Sequence, residues 1–305
     1  MMDRLEAMSI LIEVIDRGSF SAAARTLRAP VTTVTRKISD LETAIGAKLL
    51  IRTTRRLSLT DAGSAYLVAA RRILDQVDEA EREAAGEFTA PQGELVITAP
   101  IQFGQLHVLP VVADFLALFP KIDVRLLLLD RNLQLVEDHV DMAVRIGKLP
   151  DSSMIATTIG RMRMVICATP TFLAGHGVPM NPEDLQRLPT VSFDTSASSH
   201  HWQLRDPGTG ASLTVPIRPR LSVTTAEAAI GAALRDVGLT RILHYQASDR
   251  IKAGQLQTVM VDFEPDSAPI SLLHVARGQM PLKLRSFLDF AVPRLRATID
   301  NIASD

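Results

Sequence analysis

The strongest constraint on the fold lies near the N-terminus, where Val31, Val34, Ile38, Leu41 and Ile45 recur at steps of three and four residues before Gly46. That spacing places apolar side chains on one face of a helix and leaves Thr32, Thr35, Arg36 and Ser39 on the other. Pro30 suits the helix start and Gly46 its end. An earlier helix has Leu5, Met8, Ile12 and Ile15 as its apolar stripe and stops at Gly18. A second, capped by Ser19 or Ser21, carries Ala22, Ala23, Ala24 and Leu27, small residues that let another helix approach closely. The stretch 48–59 reads as two short strands around Thr53, Thr54, Arg55 and Arg56, a basic wing.

Charge marks this region off from the rest. Residues 25–56 hold eight bases (Arg25, Arg28, Arg36, Lys37, Lys48, Arg52, Arg55, Arg56) and two acids, Asp40 and Glu42. The segment is therefore +6, although the 305-residue chain has a formal net charge of -1. A short basic block on a neutral protein suggests a nucleic-acid-reading head on a body with other work to do. Threonine offers a hydroxyl to a base edge or phosphate and a methyl to thymine; arginine grips guanine with two hydrogen bonds. Arg52, Arg55 and Arg56 on the wing suit phosphates, which set affinity and salt dependence. The competing reading is a three-helix bundle with a solvated basic face.

Thr60 and Asp61 can cap a fourth helix reaching about residue 85, with Tyr66, Ala70, Ile73, Val77, Ala80 and Ala84 on one seam. A lone helix of that length needs a partner for the seam, either a second copy of itself or its own body. Residues 86–93, with Pro91, form a linker. Beyond it strand and helix patterns alternate: strands at 94–98, 124–129, 142–146, 165–168, 221–223, 239–243 and 270–275, and helices at 104–119, 133–137, 226–236 and 281–297. Alternation of this kind predicts a mostly parallel α/β body.

Composition excludes several classes. Cys167 is the single cysteine, so neither an internal disulfide nor a multi-thiolate zinc site is available. Its place in an apolar strand favours an inert buried thiol over a nucleophile. His200 and His201 are adjacent without a third ligand at useful spacing, and a solvated loop pair is the better reading. No phosphate loop, nucleophile elbow or dinucleotide fingerprint occurs, and the carboxylates nominate no acid/base pair. The expectation is no enzyme, no metal and no cofactor. Acids interrupt the N-terminus and runs such as 126–129 are too short to cross a bilayer, so the chain reads as cytoplasmic with no membrane partner.

Four motifs then make a family resemblance specific: GSFSAAARTL at 18–27, VTTVTRKISDLE at 31–42, IGAKLLIR at 45–52 and RRLSLTDAG at 55–63. In order and spacing they resemble the winged helix-turn-helix of LysR-type transcriptional regulators. The resemblance implies that Pro30, Val31, Thr32, Thr33, Thr35 and Arg36 enter the major groove, with Arg52 and Arg55 on the backbone; Ser21 and Arg56 complete the DNA-binding candidates. Pro30 stands where a capping serine is usual, and Thr35 replaces a serine. VRIGKL at 144–149, PDSSM at 150–154, GLTRIL at 238–243 and LRSFLDFAVPRL at 284–295 are similar to the family's effector-binding part.

The implied fold is α+β overall: a winged helix-turn-helix over 1–60, a linker and dimerisation helix over 61–88, and a two-lobed effector domain over 92–305 like periplasmic binding proteins. Lobe one would take 92–161 and 266–305, and lobe two 162–265. His139 stands where the family commonly has glycine.

Ligands collect at strand ends and helix N-termini, where free N–H groups favour an anion. The candidates for a small organic anion are Pro100, Ile101, Gln102 and Phe103 before one helix, Thr224 and Thr225 before another, Ser192 and Phe193 after a strand, and Trp202 as an aromatic wall. Thr225 as a plain cap and Trp202 as core are the competing readings. The resemblance implies double-stranded DNA carrying an inverted repeat, a small effector, self-association to a dimer or tetramer, and RNA polymerase as partners. Two other classes compete with a ligand-responsive regulator: an architectural DNA-binding protein without a ligand response, and an enzyme or carrier built on the body.

Overall fold

The computed structural model describes residues 3–52, 57–84, 90–149, 154–193, 200–275 and 280–303. They form two compact units, Met1–Gly93 and Glu94–Asp305.

The first unit is built from α1 (Arg4–Asp16), α2 (Phe20–Thr26), α3 (Val31–Ile45), the hairpin strands β1 (Leu50–Arg52) and β2 (Leu57–Leu59), and α4 (Asp61–Ala84). Asp3 caps α1, and Ser19, not Ser21, caps α2 by accepting the Ala22 N–H. The core joins Ala7, Leu11 and Val14 of α1, Ala23 of α2, Val34, Ile38 and Leu41 of α3, and Leu49. The α1 stripe is thus rotated from the expected one: Met8 is buried, but Leu5 is exposed and Ala7, Ile10, Leu11 and Val14 face inward. Contact with α2 and α3 selected the more closely packing face over the bulkier one. Val31 and Ile45 end the α3 stripe at 42% and 40% exposure, because the neighbouring helices cover only its middle turns. Gly46 closes α3 in the left-handed region at φ 76°.

Thr60 joins the wing to α4. Its hydroxyl donates to the Lys48 carbonyl at 2.7 Å and accepts the Gly63 N–H at 2.8 Å. Gly63 comes so close to the hairpin that an added Cβ would lie 2.0 Å from the Leu49 carbonyl oxygen. The start of α4 packs on the head itself: Tyr66 and Leu67 join the core, Ala70 is buried, and Arg71 pairs with Asp16 of α1. The first turns of the expected seam are therefore covered within the chain; Ile73 and Val77 are half-buried, and the side chains of Ala80 and Ala84 lie outside the described residues.

The second unit has two five-stranded sheets. Sheet one is ordered β4-β3-β5-β14-β6, with β3 (Gly93–Ala99), β4 (Ile122–Leu128), β5 (Met142–Ile146), β6 (Met154–Met162) and β14 (Ala268–Val275). Sheet two is ordered β11-β8-β12-β7-β13, with β7 (Met164–Ala168), β8 (Thr190–Phe193), β11 (Pro219–Val223), β12 (Leu239–Leu243) and β13 (Gln257–Val259). A hairpin of β9 (His201–Arg205) and β10 (Ser212–Pro216) stands apart.

The expected mostly parallel body is corrected. β3 runs parallel to β5, and β8 to β11 and β12, but β14 is antiparallel to β5 and β6, and β7 to β12 and β13. The chain crosses between sheets twice, from β6 to β7 and from β13 to β14, and strands entering from the other sheet run against those already there. That reversal is invisible to local periodicity.

Helices cover the sheets. α5 (Ile101–Phe103) passes through a π turn (Gly104–Val108) into α6 (Leu109–Leu118), so this helix begins three residues before the expected start at 104. The widened turn lies just before Pro110, which offers no N–H and crowds the turn behind it. By length and composition, 101–118 is apolar enough to cross a membrane, yet Phe103, Val108, Val111, Val112 and Phe115 pack into the core of sheet one with Phe287 and Leu295. The latter two lie on α10 (Leu282–Ala303). α7 (Pro170–His176), α8 (Ala226–Ala233) and α9 (His244–Lys252) cover sheet two.

No helix forms at 133–137. The stretch folds into turns that end at His139, in the left-handed region at φ 55°. That backbone explains why glycine suits the position. Asp141 follows, just before β5 and not inside it. Its carboxylate accepts the Val96 N–H at 2.8 Å, and its own N–H donates to the Val96 carbonyl at 2.9 Å.

Candidate DNA-reading surface and effector site

The head presents one polar helical face. Buried Val34, Ile38 and Leu41 fix the rotation of α3, so Thr32 and Arg36 are exposed and Thr33, Thr35 and Ser39 are half-exposed. Pro30 is the N-cap without a side-chain bond, and with Val31 it lies exposed at the helix tip; Ser21 is exposed on α2. Arg36 makes no hydrogen bond or ion pair among the described residues, whereas Lys37 is held by Glu6. A free guanidinium beside hydroxyls on a rigid helix can reach into a groove. Of the wing arginines, Arg55 and Arg56 lie outside the described residues, as does the Arg52 side chain, although Arg52 itself ends β1.

The far end of α3 is clamped to the wing. Glu42 is buried, and its carboxylate accepts the N–H groups of Leu49 at 2.9 Å and Leu50 at 3.1 Å together with the Lys48 ammonium at 2.7 Å. Burial pushes its pKa up, but these three donors outweigh it and hold the group below the usual carboxylate value. This clamp fixes the angle between recognition helix and hairpin. The sequence by itself shows Glu42 only as one of two acids in a basic block.

In the second unit the predicted site residues divide. Pro100 caps the helix, and Ile101 to Phe103 are its first turn, not a loop. The Ile101 N–H, expected to be free for an anion, donates to the Asp130 carboxylate at 3.0 Å. That negative charge already occupies the helix end and opposes a second anion there. Phe103 is fully buried and meets Tyr245 and His107 edge to face. Gln102 bridges the sheets' helices by donating from Nε2 to the Gln246 carbonyl at 3.1 Å, while its Oε1 is buried without a partner. His107 Nε2 is likewise buried and unpaired, and burial lowers the imidazole pKa.

Thr225 is the N-cap of α8 and accepts the Ala228 N–H at 3.2 Å; Thr224 is exposed beside it. Ser192 and Phe193 lie inside β8 and point to opposite faces: Ser192 is buried, while Phe193 packs with Val223 and Ala229 under α8. Trp202 is 5% exposed within the core of sheet two, against Leu204, Val215 and Ile217, so it is core and not a wall. Its partner across the hairpin is Val215, so of the two readings the sequence leaves open the packing favours the core one. His200 and His201 are exposed, and no cluster able to hold a metal occurs among the described residues. Cys167 is fully buried, its thiol pushed up to about 12 by that burial, which makes it inert at neutral pH.

Sequence reasoning missed Arg241 and Thr190. Thr190 Oγ1 and Arg241 Nε are buried on sheet two with no hydrogen-bond partner. The available signal was an arginine inside the apolar strand LTRIL, read only as part of a motif.

Comparison with known proteins fits both units. Residues 5–64 match the family model described as bacterial regulatory helix-turn-helix protein, lysR family, and residues 89–296 match the LysR substrate binding domain. A curated HTH-type transcriptional regulator of Xanthomonas campestris pv. campestris (strain 8004) is 32% identical over 296 residues, covering 95% of this chain and 85% of its own. The regulator CrgA of Neisseria meningitidis serogroup B is 31% identical over 292 residues, covering 95% and 96%. The solved structure of N. meningitidis CrgA superimposes with a TM-score of 0.60 at 30% identity, covering 95% of this chain and 98% of that one. That of the Vibrio cholerae virulence activator AphB gives 0.59 at 25%, covering 95% and 98%.

Proposed function

Because the chain belongs to the LysR family of bacterial transcriptional regulators, with a helix-turn-helix head and a two-lobed effector-binding domain, we propose that it reads promoter DNA through the Thr32–Arg36 face of α3. The observation that carries this reading is the exposed, unpaired Arg36 on a helix whose opposite side is locked in the core. Arg36 and the threonines contact base edges, Pro30 and Val31 enter the groove first, and Arg52, Arg55 and Arg56 meet phosphates. Ser21 supports the approach from α2.

Two heads joined through α4 read an inverted repeat with half-sites about 34 Å apart, and a tetramer lets four heads engage one promoter. The half-buried Ile73 and Val77 support this use of the α4 seam. We divide the chain into a head over 1–60, a linker helix over 61–88 and an effector domain over 92–305. Strand membership supports lobe one as 92–161 with 266–305 and lobe two as 162–265, apart from Met162, which still belongs to β6 of sheet one. A small organic anion binds between the lobes, its charge on the side of Ser192, Thr224 and Thr225 and its uncharged part near Pro100, Ile101 and Gln102, because Asp130 already holds the Ile101 N–H. Phe103, Phe193 and Trp202 shape that region from the packed interior. Binding shifts the population between assembly states for which the ligand has unequal affinity, and RNA polymerase at the cytoplasmic promoter responds.

The experiment is a gel shift with the promoter region beside the protein's own gene. A sequence-selective complex that weakens with salt is expected, and Arg36→Ala should cost about 1–3 kcal/mol of that binding. A shift of equal strength on unrelated DNA, unchanged by Arg36→Ala, overturns the reading.

A further inference from the structure

Arg241 occupies the centre of β12, between Thr240 and Ile242. Its Nε is buried without a hydrogen-bond partner, and no ion pair engages the guanidinium among the described residues. Burial alone holds the group down to about 10, with no carboxylate nearby to offset it. Folded proteins seldom leave a buried arginine N–H in this condition, since its desolvation is uncompensated.

Strand register shows what stands beside it. β12 pairs with β8 in parallel, Leu239 opposite Thr190 and Thr240 opposite Val191. Alternation along the two strands then places Arg241 and Ser192 on the face of Thr190. The neighbour of Arg241 on β7 is Ile166, and the neighbour of Ser192 on β11 is Ser222. The opposite face is filled by Val191 and Ile242 beneath the helices. Thr190 is fully buried, and its hydroxyl is also unpaired. One face of sheet two therefore carries an unpaired guanidinium, an unpaired hydroxyl and a buried serine, with no acid among the flanking positions. Arg241 is only partly enclosed and Ser222 is exposed, so the cluster has an opening to solvent.

We propose that Arg241, Thr190 and Ser192 form an oxyanion site in lobe two that takes the carboxylate of a small organic acid. The guanidinium edge donates to the carboxylate, and the Thr190 hydroxyl, which lacks any other acceptor, donates to it as well. This deepens the effector reading of the preceding section by naming the ligand's chemical class, and it rests on that reading only for the consequence at DNA. It also moves the anion away from the helix end occupied by Asp130.

The test uses the full chain, with Arg241→Met and Thr190→Val, in thermal melts with sodium acetate, sodium benzoate, sodium phosphate and uncharged benzamide. Without ligand, Arg241→Met should melt at or above the wild-type temperature, because it removes a charge that has no partner. A carboxylate at about a hundred times its Kd should raise the wild-type melting temperature by several degrees. Benzamide should leave it unchanged, and the carboxylate response should vanish in Arg241→Met and shrink in Thr190→Val. Phosphate separates a carboxylate site from a general oxyanion site: a phosphate response larger than either carboxylate's overturns the assignment.

A ligand-free Arg241→Met that melts well below wild type, an equal anion response in both proteins, or no response to any anion would each overturn it too. The wild-type gel shift keeps the two readings apart. Its failure would remove the promoter reading while leaving the melts to decide the site.

Discussion

Arg163 and Glu264 meet across the two segments that cross between the sheets, in a bidentate pair with Nε to Oε2 and Nη2 to Oε1 both at 2.8 Å. One residue follows β6 and the other precedes β14, so a single pair staples both crossings. The arginine is 42% exposed, which keeps the energy modest. A double-mutant cycle with Arg163→Met and Glu264→Gln should give a coupling of about 0.5–1 kcal/mol in urea unfolding. Arg163→Lys should recover little of it, because an ammonium lacks the two-pronged geometry.

Glu42 makes the head sensitive to acid. Its folded pKa lies below its unfolded one, so its contribution is fully present above the ordinary carboxylate range and is lost as pH falls through the folded value. Glu42→Gln should cost about 1–3 kcal/mol at neutral pH. The gap between wild type and variant should close on acidification, as followed by denaturant melts across an acidic pH series. A gap that stays constant down the series contradicts the clamp.

Gly63 has no room for a side chain, and the obstacle is backbone, which cannot rotate away. Gly63→Ala should destabilise the head by about 1–3 kcal/mol and weaken promoter binding with it, since the start of α4 and the hairpin must separate. Unchanged stability in urea would show that the hairpin yields more easily than its contacts indicate.

The buried thiol gives a clean accessibility probe. In the native protein at about pH 8, Cys167 should not react with an aromatic disulfide reagent, and it should react fully once the chain is unfolded. Rapid native labelling would place the thiol outside the interior of sheet two.

Trp202 is the chain's only tryptophan, so fluorescence reports the core around the β9–β10 hairpin without interference. Native emission should be blue-shifted and should move to the red on unfolding. Trp202→Ala should cost about 3–5 kcal/mol. A red native maximum would contradict the packing against Leu204 and Val215.

Much of the head is legible in the amino-acid sequence. The α3 periodicity, the Gly46 stop and the Thr60 start each rest on short-range stereochemistry, and each recurs in the structure. Strand positions in the body were legible for the same reason: 142–146 and 239–243 coincide with β5 and β12. The turn at 133–137 was misread because Leu133 and Leu135 are buried there without helical spacing, and Asp138 and Asp141 hold the backbone in other ways. For Trp202 the sequence leaves core and ligand wall both open, because an aromatic side chain serves either until its neighbours are known, and those neighbours are core residues.

The amino-acid order alone determined the local pieces and the charge on the head, because helix period, caps and turns depend on residues within a few positions of one another. Only the tertiary structure decided which distant residues became neighbours. It set Asp130 on the helix end meant for a ligand, closed the Gly63 contact, and brought Arg241 beside Thr190 with nothing to neutralise it. Strand register and the crossings between sheets fix such pairings, and both are set by the packing of the whole domain.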